Sequence, residues 1–311
     1  MRALACPASL KGVLRSPAAA AALAEGLRRG GVDARELPVA DGGDGTAEVL
    51  HLAGGGAWHG VVVPDAFGRP REARWLELPD GTAVVESAEA IPLDPSRLDA
   101  ARASSRGLGE LIGAVGSPPR LLVGLGGTAN VDGGAGLREV LQELPAPTCV
   151  ACDSLVPLLD AARLYAPQKG ADPTQVEELA TRLAAMDELA PYADLPGAGA
   201  AGGLGAALAA LGAELVPGAA LVLDEAGFDP AAYDLVVTGE GRVDRTTATG
   251  KAPGEVARRC LAAGVRCVVF GGVVDEPLEG VETVALSGDP SRAREDLVEL
   301  GRRLASGSCD P

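Results

Sequence analysis

The segment Tyr233-Asp-Leu-Val-Val-Thr-Gly-Glu-Gly-Arg-Val-Asp244 runs from a short apolar stretch straight into a glycine block. A brief, uninterrupted Leu/Val run predicts a strand buried on both faces, as in a parallel sheet. The block 239–244 is then a loop at the carboxyl end of that strand, where open α/β sheets place their ligands. The chain opens with the same grammar. Arg2-Ala-Leu-Ala-Cys6 predicts a strand broken at Pro7, followed by the loop 7–12. Ser16-Pro17 has the chemistry of an N-cap and first helical position, for a helix to about Arg29 that Gly30-Gly31 stops. Val32 to Val39 completes a β-α-β unit. Downstream, Pro253 to Ala263 predicts a helix and Val265 to Phe270 a strand entering Gly271-Gly272. Glu282 to Leu286 predicts a further strand, and Arg292 to Leu304 a closing helix. Strands 2–6, 233–238 and 265–270 are therefore expected in one parallel sheet.

The middle of the chain reads differently. Residues 60–90 predict short alternating strands with turns at Pro64-Asp65, Gly68 and Pro79-Asp80-Gly81. Arg120 to Leu125 predicts a strand running into the glycine-rich stretch 126–136, and Thr174 to Leu189 an amphipathic helix. Pro196 to Gly205 leads into a helix at 206–211. The expected fold is α/β with two domains. Residues 1–40 plus 228–311 form a discontinuous, doubly wound parallel sheet, and 41–227 form an inserted mixed α/β domain.

The 311 residues include 27 basic and 43 acidic side chains, a net charge of −16. Such a field repels nucleic acid and anionic lipid, and neither is an expected partner. No stretch has the roughly 20 uncharged apolar residues of a membrane span, so a cytoplasmic protein is expected. Gly 43 is roughly twice the usual share of about 7%, whereas aromatics are only 3%. Cys6, Cys149, Cys152, Cys260, Cys267 and Cys309 have no scaffold-like spacing and are expected as reduced, buried thiols.

Only three of the 27 basic residues are lysines, and each lies beside glycine in a turn-like block: Lys11-Gly, Lys169-Gly and Gly-Lys251. An acidic chain that binds an anion must reverse the sign locally, and a compact ammonium or converging backbone N–H groups can do so. Five polar-glycine blocks, 7–12, 41–46, 126–136, 196–205 and 239–244, offer such groups. Their carboxylates are the kind a phosphate-bound Mg²⁺ uses. Known nucleotide signatures fail: Gly250-Lys251 is followed by Ala252, and Gly239-Glu-Gly241 has Asp244 in place of a third glycine. With His51 and His59 as the two histidines, neither in a motif, a Ser-His-Asp triad is not expected.

Taken in order, the blocks resemble the glycerate kinases of the bacterial type, which transfer phosphate from ATP to D-glycerate. Ser9-Leu-Lys-Gly12 is similar to that family's Pro-Asp-Ser-Phe-Lys-Gly, and Val39-Ala-Asp-Gly-Gly-Asp-Gly-Thr46 to its Ala-Asp-Gly-Gly-Glu-Gly-Thr. Ser104-Ser-Arg-Gly-Leu-Gly-Glu110 resembles its Thr-Ser-Arg-Gly-Thr-Gly-Glu. Ala151-Cys-Asp153, Ala166-Pro-Gln-Lys-Gly-Ala171, Pro196 to Gly205 and Thr238 to Asp244 with Gly250-Lys251 also match. The resemblance implies a flavodoxin-like discontinuous domain, an active site between the domains, ATP and Mg²⁺ as cofactors, and glycerate or a related hydroxy acid as substrate. Homodimerisation is a further expectation. It places Lys11 on the transferring phosphate and Arg106 or Lys251 on the substrate carboxylate. Asp132 or Asp153 holds metal or accepts the hydroxyl proton. Gly126, Gly127, Thr128, Gly133, Gly134, Lys169, Gly202, Gly203, Glu240 and Lys251 are expected around nucleotide or substrate, with Asp41, Asp44 and Asp244 toward the metal.

The departures cluster in the same loops. Ala8 replaces the family aspartate before Ser9, Val131 an asparagine, and Leu155 and Val156 a polar pair. They imply a kinase with weakened activity. The alternatives are a silent paralogue that binds nucleotide or hydroxy acid, and a kinase for another small sugar acid.

Overall fold

The computed structural model describes residues 1–307. Cys309 lies outside the described residues. Eleven strands form among these residues. They are β1 (Arg2–Ala5), β2 (Asp33–Glu36), β3 (Ala57–Pro64), β4 (Pro70–Glu77), β5 (Ala83–Glu86) and β6 (Leu121–Leu125). The remainder are β7 (Thr148–Cys152), β8 (Glu214–Pro217), β9 (Leu235–Val243), β10 (Arg266–Val274) and β11 (Glu282–Ala285). They divide between two units, one built from Met1–Ala40 with the chain from Val222 onward, the other from Asp41–Leu221.

In the first unit the sheet order is β11-β10-β9-β1-β2 and every pairing is parallel. This is the flavodoxin-like order, with the chain reversing direction across β1 and β9. The strand pattern explains why both faces are covered. Ala3, Ala5, Leu235, Val237, Val268 and Phe270 pack with residues of the helices Ser16–Arg29 and Ala293–Ser306. Their alternates Leu4, Cys6, Val236, Cys267 and Val269 are equally buried, and Cys6 and Cys267 approach Cys260 of the helix Ala252–Ala263. Gly26 allows the first pair of helices to meet, since a Cβ there would lie 2.0 Å from the Val298 carbonyl oxygen.

In the second unit the order is β3-β4-β5-β6-β7-β8. The pairings β3–β4 and β4–β5 are antiparallel, and those from β5 through β8 are parallel. The fully buried parallel strands β5 and β6 follow from their Leu/Val content. A second apolar cluster joins Leu158, Ala161, Leu179, Leu183 and Ala207.

Several local expectations need correction. Residues 239–243 are not a loop, because β9 continues to Val243 and pairs with β10 as far as Val274, which also absorbs Gly271-Gly272. Glycine permits this: a Cβ on Gly239 would lie 2.2 Å from the Phe270 carbonyl oxygen. The first helix is capped by Arg15, with Ser16 already helical and making no cap bond. The helix expected at 174–189 is Pro173–Ala184, opened by a capping box of Asp172 and Gln175 and followed by the 3₁₀ turn Asp187–Tyr192. That expected at 206–211 is Ala200–Ala210, interrupted by left-handed backbone at Ala201, Gly202 and Gly203.

Candidate active site

In the second unit the blocks 126–136 and 196–205 interlock. Gly133 N donates to Gly202 O at 3.0 Å. A Cβ on Gly203 would lie 2.9 Å from Gly133 Cα, and one on Gly202 2.3 Å from Asn130 O. Only glycine allows two backbones so close, and positive φ at Gly133, Gly134, Gly202 and Gly203 adds a second requirement. Ala201 shares this conformation at φ 51, which is costly for a residue with a Cβ.

Asp132 organises the junction. Its Oδ2 accepts from Ser105 N and Oγ, both at 2.8 Å, and from Gly136 N at 3.2 Å. Its Oδ1 accepts from Asn130 Nδ2 at 2.9 Å and Gly134 N at 3.1 Å. Five donors occupy this buried carboxylate, which therefore holds the glycine loop rather than offering a lone pair to a substrate. Lys169 is only 4% exposed; Nζ donates to Asn130 O at 2.7 Å and Thr128 Oγ1 at 3.4 Å. Burial lowers its pKa to about 8 against the opposing pull of Asp153 and Asp132. Its ammonium ties the loop from behind, a role that a turn lysine beside glycine did not suggest.

The block 41–46 lies beside the start of the same loop. A Cβ on Gly43 would sit 3.4 Å from Asp41 Oδ1 and 3.9 Å from Asp153 Cβ, and one on Gly126 2.7 Å from Asp153 Oδ2. A Cβ on Gly127 would lie 3.8 Å from Asp44 Cβ. Asp41, Asp44 and Asp153 thus share one neighbourhood with Gly126 and Gly127. Sequence reasoning missed Glu86, at the carboxyl end of β5. Its carboxylate accepts from Ala47 N at 2.5 Å and Gly45 N at 3.3 Å, at the start of the helix Thr46–Gly54. Burial is the largest influence and raises its pKa to about 7, against those two hydrogen bonds. The signal available was a glutamate ending an otherwise apolar strand at the ligand-bearing edge of a sheet. Thr46 Oγ1 and Asn130 Oδ1 are buried without a hydrogen-bond partner among the described residues, leaving one uncompensated polar atom in each block.

The other candidates lie elsewhere. Arg106 is turned to the surface, with Nε on Glu110 at 2.9 Å and Nη1 on Glu139 at 3.3 Å. Val131, 1% exposed, belongs to the apolar cluster around Leu158, so its side chain is packing and not a lost ligand of the loop. Leu155 is exposed, and Val156 O accepts from Gly199 N at 2.8 Å.

In the first unit, a Cβ on Gly241 would lie 3.6 Å from Lys11 N, so the loop 7–12 runs beside the extended β9. Lys251 Nζ pairs with Glu240 at 3.2 Å and approaches Asp244 at 3.9 Å. Asp244 also accepts from Thr246 N at 2.7 Å, and the Thr246 hydroxyl leads the influences holding its pKa low. Lys11 alone of the three lysines makes no side-chain hydrogen bond or ion pair among the described residues. Among those residues no three His, Cys, Asp or Glu side chains form a metal-binding group, and no helix is long and apolar enough to cross a membrane.

The profile of the glycerate kinase family matches residues 3–147 and 140–288. The chain is 35% identical to the glycerate 2-kinase of Escherichia coli (strain K12), over 83% of this chain and 81% of that one. It is 33% identical to the glycerate kinase of Bacillus subtilis (strain 168), over 90% and 87%. The crystal structure of a glycerate kinase 2 candidate from Salmonella typhimurium LT2 superposes with a TM-score of 0.80 at 30% identity, covering 99% of this chain and 98% of that one. The chain belongs to the glycerate kinase family, and with it to the phosphotransferases that act on an alcohol acceptor.

Proposed function

We propose that this protein transfers the terminal phosphoryl group of ATP to a hydroxyl of glycerate, with Mg²⁺. The observation that carries the reading is the interlocked pair of glycine blocks, 126–136 and 196–205, braced by Asp132 and Lys169 in a chain of this family. The hydroxyl oxygen forms a bond to the γ-phosphorus as the bond to the bridging oxygen of ADP breaks, and positioning and charge neutralisation supply most of the acceleration. The backbone N–H groups of Gly127 and Thr128, in the loop that Asp132 and Lys169 hold, cradle the phosphates. Asp153, beside Gly126, accepts the hydroxyl proton. Lys11, without an internal partner, meets the transferring phosphate, and Lys251 the substrate carboxylate; Arg106, held at the surface by Glu110 and Glu139, is not assigned to it. That the first unit's lysines and the second unit's glycine loops act on one substrate, in a cleft between the domains, is part of this proposal.

Mg²⁺ asks for hard oxygen ligands and is usually held by one or two carboxylates with phosphates and water. Asp41 and Asp44, on one turn beside Gly126 and Gly127, meet that demand. Bound there, the ion would neutralise charge on the β- and γ-phosphates. Asp244, engaged with Thr246 and Lys251, is not assigned to it.

A coupled ADP-release assay with ATP, Mg²⁺ and a panel of hydroxy acids tests the reading, with glycerate expected as the best acceptor. Turnover restricted to a different sugar acid would replace the acceptor. Binding by calorimetry without any turnover would establish the silent paralogue that Ala8 suggests. A cytoplasmic location and a homodimer complete the proposal; light scattering tests the second.

A further inference from the structure

Outside these loops, the second unit holds an arginine-lined cavity. Two adjoining lobes of about 410 and 420 Å³ share Ala66, Phe67 and Arg97. Arg69 and Arg71 line one lobe, Arg102 the other. Arg97 stands between them, its guanidinium carbon 4.0 Å from the centre of the Phe67 ring. Four arginines gathered in a chain of net charge −16 are a local reversal of the molecule's field.

Three carboxylates line the cavity with the arginines; both oxygens of Asp65 are engaged, and one each of Asp94 and Asp99. Asp65 accepts from Phe67 N at 2.8 Å and Arg69 N at 2.9 Å, and pairs with Arg97 at 3.6 Å. Asp94 accepts from Ser96 N and Oγ, and Asp99 from Arg102 N. The guanidinium groups are not exhausted in the same way. Arg71 gives Nε to Glu89 O at 2.6 Å, while the side chains of Arg69 and Arg102 make no hydrogen bond or ion pair among the described residues. Each guanidinium carries five donors in a fork that matches phosphate or carboxylate. What the cavity offers a ligand is thus mainly donors, at both ends, in a volume suited to a small molecule.

We propose that this cavity binds a small acid carrying two separated anionic groups, one meeting Arg69 and the other Arg102, with Arg97 between. The site is distinct from the reaction site proposed above. It adjoins it, because the wall residue Leu93 donates its N–H to Gly127 O at 2.7 Å and Pro92 bridges to Thr128.

Phosphoglycolate, with one phosphate and one carboxylate, is the probe for titration calorimetry on the full chain. One molecule is expected to bind per chain, with and without saturating glycerate. Arg69→Ala and Arg102→Ala should each weaken binding by about tenfold or more, the size of a lost charge-assisted contact. Both arginines are exposed, so both variants should melt as the parent does, and Arg302→Ala on the closing helix should bind as the parent does. Absence of binding, displacement by glycerate, or an equal loss in Arg302→Ala would overturn the proposal. The titration needs no turnover, so its failure and failure of the kinase reading are separable.

Discussion

Lys169 Nζ donates to the Asn130 carbonyl at 2.7 Å from a side chain that is 4% exposed, so the most buried lysine of the chain is a strut for the glycine loop. Lys169→Met keeps the bulk and removes the donor. It should lower kcat/KM for phosphoryl transfer by about 10²-fold, the usual result of a small misplacement of a positioning element. Lys169→Arg should not restore it, because the buried site was shaped for a compact ammonium. Parent-like kinetics in Lys169→Met would remove the strut from the mechanism.

Glu86 carries a pH dependence. Its folded pKa, raised to about 7, exceeds the ordinary value of 4.5, so its stabilising contribution is complete below about 4.5 and is lost as the pH rises through about 7. The loss is on the order of 3 kcal/mol at pH 8 and above. Glu86→Gln should flatten the fall in melting temperature between pH 5 and 8 relative to the parent, measured by calorimetry. Parallel curves would contradict the assignment.

Asp132 anchors five donors, and Asp132→Ala would leave Ser105, Asn130, Gly134 and Gly136 groups buried without it. A loss of about 3 kcal/mol or more in urea unfolding is expected, since each orphaned buried group costs about 1–3 kcal/mol. Asp132→Asn, which retains acceptor capacity on one side only, should fall between. A variant as stable as the parent would refute the anchoring role.

The left-handed turn at 201–203 can be probed in both directions. Ala201→Gly should stabilise by up to about 1 kcal/mol, relief of φ strain outweighing added freedom in the unfolded chain. Gly202→Ala should destabilise strongly, since its Cβ would meet Asn130 O at 2.3 Å. Destabilisation by Ala201→Gly together with no loss in Gly202→Ala, in thermal melts, would show that the turn is not held as described.

Ala8 stands where the family carries aspartate, and its N–H donates to Gly239 O at 2.9 Å, next to the extended β9. Ala8→Asp should raise glycerate phosphorylation, within the roughly 10²–10⁴-fold range of acid–base or metal-positioning groups. Val131→Asn, by contrast, would bury an amide in an apolar cluster and should lower stability by about 1–3 kcal/mol without helping. If Ala8→Asp slows an already ordinary kinase, position 8 is not a defect.

The blocks that became the site were visible as glycines in sequence, but their roles were not. Asp132 and Asp153 look alike as loop aspartates; one is saturated by five donors and the other lies against Gly126. Glu86 had no motif, because what distinguishes it is burial beneath Gly45 and Ala47, contacts made across 39 to 41 residues. Val131 looked like a lost polar ligand, and only the packing around Leu158 shows where its side chain goes.

Apolar runs, glycine positions and the order of the blocks are local properties, and strands apolar on both faces bury Ala3, Ala5, Val237 and Phe270 together with Leu4 and Val236 by stacking in parallel between helices. That much the amino-acid order by itself determined, down to the family. Which aspartate braces, which lies against the start of the glycine loop, that Lys169 turns inward and that β9 runs on through Gly239 and Gly241 were decided by tertiary structure alone. The reason is that burial and hydrogen-bond saturation depend on neighbours distant in sequence, and a residue's chemistry changes with them.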